Sequence, residues 1–136
     1  MKRTIRYLPG FVLLTVLLAG CSRSGPYDVS GTVTYQGKPV PIGLVVIEPD
    51  PEKGNQGTQT QGLIQDGHFQ TLPGRGAIAG PVIITVNAND GVPTPFAPHG
   101  KLMFRSYQFR HELPAAASTL DIEVPATQAL PAFERE

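Results

Sequence analysis

The sequence predicts an all-β domain, a single Greek-key β-sandwich of seven strands or so. Three observations lead there. Short runs rich in β-branched and aromatic residues alternate apolar and polar with a period of two, as in Val29-Ser30-Gly31-Thr32-Val33-Thr34-Tyr35 and Thr119-Leu120-Asp121-Ile122-Glu123-Val124. Turn signals separate the runs, Gln36-Gly37 and Asp66-Gly67 above all. With 15 glycines and 14 prolines in 136 residues, little of the chain could continue as helix, and no helical period appears after residue 20.

The amino-terminal stretch is of another kind. Lys2, Arg3 and Arg6 form a basic flank, and Leu8 to Leu18 is an apolar run of 11 residues broken only by Pro9, Gly10 and Thr15. That length suits the apolar region of an export signal and falls short of the roughly 20 residues that span a bilayer. Leu18-Ala19-Gly20-Cys21 then resembles the lipobox of bacterial lipoproteins. The resemblance implies cleavage between Gly20 and Cys21, diacylglycerol on the Cys21 thiol and an exported, lipid-anchored protein. Cys21 is the single cysteine, so it cannot form an internal disulfide, and lipidation gives an unpaired exported cysteine its reason. Two or more acyl chains, at about 0.8 kcal/mol per buried methylene, hold a protein stably on a membrane.

Removing residues 1–20 leaves 116 residues, enough for one domain with its own core. The whole chain carries 11 basic and 11 acidic residues; without the three basic residues of the signal, 8 stand against 11, about −3. That balance argues against nucleic acid as a partner, since such a domain needs a basic face. The expected organisation is a signal peptide at 1–20, a lipidated tether at 21–27, a β-sandwich at 28–126 and a frayed, flexible tail at 127–136.

The strand expected over residues 28–35 places Val29, Gly31, Val33 and Tyr35 on one face, and Gly31 marks a bulge or a close backbone approach. Gly37 serves the following turn. Val40 to Pro49 is the second strand, and its continuous Leu44-Val45-Val46-Ile47 suggests a central position or burial on both sides. From Val29 to Val45 the pattern V-x-G-x-V-x-x-x-G-K-P-V-x-x-G-x-V resembles the opening of carboxypeptidase-regulatory-like domains, which are transthyretin-like (prealbumin-like) β-sandwiches. It is most similar to the small single-domain bacterial lipoproteins among them, and the likeness extends more weakly to about residue 125.

Asp50 to Gly57 reads as an exposed polar loop, and Thr58 to Gln65 as a third, more polar strand near an edge. After Asp66-Gly67 the next strand turns Phe69 to the core and His68 to solvent. The resemblance implies an aspartate-glycine turn followed by an aromatic at this point, and a glycine-rich lead such as Gly76 to Gly80 into the most hydrophobic strand, here Pro81 to Ala88. Asn89 to Gly100 contains Pro93, Pro95 and Pro98, so it must be a surface loop, where function is expected. Lys101 to Leu113 is expected to give one strand, and Thr119 to Val124 the last.

No catalytic constellation emerges, so the chain is expected not to be an enzyme and to need no cofactor. His111-Glu112-Leu113-Pro114-Ala115 is not the zinc-protease HExxH, and His68, His99 and His111 lack metal-ligand spacing. Oxygen ligands near Asp50–Asn55 and Asn87–Gly91 suit turns better than the six to eight ligands of calcium. Transthyretin-like hydroxyisourate hydrolases end in Tyr-Arg-Gly-Ser, whereas this chain ends Phe133-Glu134-Arg135-Glu136. Pilin-type adhesin domains form a lysine–asparagine cross-link, and Thr119 to Val124 has no asparagine to supply one. Phe96, in the proline loop, is the candidate binding residue, whereas Tyr107 and Phe109 at period two suit a core. The expected function is a structural or protein-interaction module of the cell envelope. The alternative is a carbohydrate-binding module, so an envelope protein or a polysaccharide is the candidate partner beside the membrane.

Overall fold

The computed structural model describes residues 25–130. The signal, the cleavage position Gly20, Cys21 and the final six residues lie outside that range. Alternation of inward and outward side chains organises the described part into eight strands: β1 (Val29–Tyr35), β2 (Lys38–Pro39), β3 (Ile42–Pro49), β4 (Thr60–Gln65), β5 (His68–Thr71), β6 (Gly80–Asn89), β7 (Tyr107–Leu113) and β8 (Ser118–Val124). Two single 3₁₀ turns, Pro51–Lys53 and Ala126–Gln128, are the helical pieces among these residues.

The strands join into one curled sheet in the order β8-β1-β5-β4-β3-β6-β7, with β2 continuing the β5 side of β1. Curling brings the halves face to face as a sandwich. Strands β3, β4 and β5 are consecutive antiparallel neighbours, and β6 returns beside β3, which is the Greek-key arrangement. Pairing is antiparallel throughout except for β8, which runs parallel to β1 from Val29↔Ser118 to Tyr35↔Val124.

The inner faces supply the core: Val29 and Val33 from β1, Val45 and Ile47 from β3, Ile64, Phe69, then Val82, Ile84, Val86 and Ala88 from β6. Ile122 and Val124 complete it from β8. Gly31 falls on the inner side of β1, paired with Leu120 of β8. A Cβ there would lie 1.8 Å from the Leu120 carbonyl oxygen, so the close approach expected of this glycine is the β1–β8 contact itself. Both two-residue hairpin turns have positive φ at each central position, Gln36 and Gly37 at 51° and 73°, Asp66 and Gly67 at 50° and 79°. This is the turn geometry that matches the right-handed twist of the flanking strands.

Several expectations need correction. Strand β4 is not near an edge: it lies between β3 and β5, and its polar residues face outward from a sheet interior. Position 50 is not exposed; Asp50 is fully buried. The second strand is interrupted, because Pro41 separates buried Val40 from β3. Residues 101–113 do not form one strand. Leu102 and Phe104 make single bridges, to Asn89 and Ala129, before β7 begins at Tyr107. The tail does not begin at residue 127 either. Ala129 bridges Phe104, Gln128 accepts a backbone bond from Arg105 at 2.8 Å, and Leu130 is buried.

Candidate functional site

The loop after β6 is a braced hairpin. Asn89 bridges Leu102, Asp90 N–H donates to the Lys101 carbonyl at 2.9 Å, and Thr94 bridges Ala97. One oxygen of the Asp90 carboxylate accepts from the N–H of Val92 at 2.9 Å and of Lys101 at 3.0 Å. Asn89 Nδ2 donates to the Gly100 carbonyl at 3.0 Å. Gly100, at φ 85°, passes so close to Asp90 that a Cβ would lie 1.8 Å from the carboxylate oxygen. Three prolines fix φ along the arm. At its tip Phe96 is 99% exposed, with Val92 exposed nearby. The Phe96 named from the sequence is therefore an apolar ring held out by a pre-ordered arm.

Tyr107 and Phe109 do not join it. They stack on each other at 5.3 Å on the inner side of edge strand β7 and pack, half-buried, against the core. His68, His99 and His111 are all exposed, and among the described residues no three His, Cys, Asp or Glu side chains cluster as a metal site. Both oxygen-rich loops weighed for calcium spend their polar groups on bracing. Asn55 Nδ2 donates to the Ala79 and Pro81 carbonyls at 3.1 and 2.8 Å, and Ser106 Oγ donates to Asn87 Oδ1.

Asp50 is the buried charge that sequence reading missed. Its Oδ1 accepts from the Glu52 N–H at 3.1 Å, capping the 3₁₀ turn, while its Oδ2 accepts from Arg110 Nε at 2.8 Å. Arg110 also donates to Glu52. Its hydrogen bond to Asp50, then the negative charges of Asp50 and Glu52, hold the guanidinium above its ordinary pKa. Sixty residues separate Asp50 from Arg110, and the pair ties the end of β3 to the edge strand β7. With one partner buried and the other half out in solvent, the arrangement is a clamp.

A second feature appears only when the strands are set in register. On the outer face of β8-β1-β5-β4, Asp121, Thr32, His68 and Gln65 form one cross-strand row. Thr119, Ser30, Gln70 and Leu63 form the next. A groove of about 620 Å³ runs over them. Within it, Thr32 Oγ1 donates to Asp121 Oδ1 at 2.7 Å.

No family model, curated protein or solved structure matches this chain. The class defined by the fold is an all-β sandwich that carries a braced apolar arm on one end and a polar groove on its outer face.

Proposed function

We propose that the chain is an exported, non-enzymatic lipoprotein of the bacterial cell envelope, held on a membrane through lipid on Cys21. Its β-sandwich, of the carboxypeptidase-regulatory-like kind, serves there as a structural or protein-interaction module. One observation carries the reading: a basic flank, a short apolar run and Ala19-Gly20-Cys21 stand in that order immediately ahead of a β-domain that starts at Val29. The braced arm supports an interaction role, because a backbone already fixed in place loses little freedom when a partner covers its tip. Substituting Cys21→Ser tests the anchor. The variant is expected in the soluble envelope fraction or as an unprocessed precursor, and labelled palmitate should enter the wild type alone. A variant that stays membrane-bound at mature size, with no label in the wild type, refutes the proposal.

A carbohydrate-binding module is the second reading. The tip of the arm offers a single exposed ring, and Tyr107 and Phe109 face the core, so an aromatic platform does not support it. The outer polar groove does.

A further inference from the structure

The two halves of the outer sheet face treat their polar side chains differently. On β6 and β7 most of these groups bond to one another or to the adjoining loop, exposed Glu112 being the exception. Gln108 Nε2 donates to Thr85 Oγ1 at 3.2 Å, Ser106 to Asn87, and Arg110 to Asp50 and Glu52. On β8-β1-β5-β4 the Thr32–Asp121 bond is, among the described residues, the one side-chain pairing across the groove. The amides of Gln65 and Gln70, the His68 imidazole and the Ser30 and Thr119 hydroxyls stand over it with no hydrogen bond to the described residues.

The shape follows from side-chain size. Ser30 and Thr32 on β1 are short and half-buried, so they make a floor. Leu63 and Gln65 on β4, with His68 and Gln70 on β5, are long and exposed, so they make a wall. Adjacent strands lie about 4.8 Å apart, so four of them carry the groove about 14 Å across.

We infer that this groove binds a neutral oligosaccharide, a proposal that rests on the carbohydrate-binding reading above and gives it a site. The chemistry selects the ligand class. A side-chain amide presents a donor and an acceptor side by side, as does a pair of vicinal sugar hydroxyls, and a hydroxyl serves in either sense. Gln65, Gln70, Ser30 and Thr119 are all of this dual kind. Leu63, 63% exposed at the end of its row, offers an apolar surface to the C–H face of a pyranose ring. Charge complementarity excludes polyanions. Among its described lining residues the groove has no lysine or arginine, it contains the Asp121 carboxylate, and Glu123 follows Asp121 on the outer side of β8.

The test is calorimetric titration of the full-length protein with cellohexaose, maltohexaose and the hexamer of N-acetylglucosamine. At least one should bind at millimolar concentration. Gln70→Ala should weaken that binding about tenfold, the effect of losing a hydrogen-bonded pair, and Ser30→Arg, which fills the floor, should abolish it. Both variants should melt with the wild type, since the changed groups make no side-chain hydrogen bonds among the described residues. Absence of binding by all three probes overturns the inference. So does binding that survives both groove variants. If that surviving binding is lost on Phe96→Ala, the carbohydrate-binding reading stands and the groove as its site falls.

Discussion

The parallel β1–β8 pairing makes Gly31→Ala a sharp perturbation. A Cβ at this position would lie 1.8 Å from the Leu120 oxygen and 2.6 Å from its carbonyl carbon, both backbone atoms. Neither can rotate away, so β8 must withdraw by about 1.7 Å to reach ordinary van der Waals contact. A hydrogen bond of about 2.9 Å stretched by that amount is broken. The loss of two such bonds at about 1 kcal/mol each, with the strain of overpacking at about 1–3 kcal/mol, gives a destabilisation of about 3–5 kcal/mol. For a domain of this size that lowers the melting temperature by about 12–20 °C. Gly37→Ala is the control. Its φ of 73° carries a left-handed penalty of about 1–2 kcal/mol, yet a Cβ there meets nothing within 4 Å. Thermal melts of the purified protein measure both, and amide exchange along β8 locates the damage. If Gly31→Ala melts within a few degrees of the wild type, or above Gly37→Ala, β8 does not lie against β1 as described.

Asp50→Ala should cost about 1–3 kcal/mol in urea melts, because the Glu52 N–H loses its cap and Arg110 its partner. Arg110→Met should also destabilise, by leaving a buried carboxylate short of a donor. The pH dependence follows from the raised pKa of Arg110: its contribution is fully present below the unfolded-state value and is lost only as pH rises through the still higher folded one. The stability gap between wild type and Arg110→Met should therefore stay flat from about pH 7 to pH 10 in the same melts. Phe104→Ala should cost about 3–5 kcal/mol in thermal melts, since that ring is fully buried and packs 4.9 Å from Tyr35. Phe96→Ala should leave the melting temperature unchanged within about 0.5 kcal/mol equivalent, and replacing Gly91 to Pro98 with a short Gly-Ser link should change it little.

What the sequence discloses here is facing rather than position. Period-two alternation identifies the inner residues of β1, β5, β6 and β8, because one side of each strand meets the core whatever its neighbours are. The same rule misplaces β4 at an edge. Its Gln61, Leu63 and Gln65 are exposed because the outer side of the sheet is open, and a central strand with one open side reads like an edge strand. Continuous Leu44-Val45-Val46-Ile47 did mark a central strand, though its outer residues are half-exposed rather than buried. Leu102 and Phe104 alternate as strand residues do. Yet Phe104 is buried by bridging to Ala129 near the chain's end, a partner that no local pattern names. Asp50 fails for the same reason: a carboxylate in a Pro-Gly-Asn loop reads as solvated until Arg110, far along the chain, arrives beside it. The groove is the extreme case. Each of its polar residues, taken on its own strand, is the ordinary outward member of an alternating pair. Only the register of four strands turns Asp121, Thr32, His68 and Gln65 into a row, and only the contrast with the largely paired β6–β7 half gives that row a chemical meaning. A site assembled from outward residues of a sheet thus leaves no local signature, whereas one presented on an arm, like Phe96, leaves its prolines in the sequence.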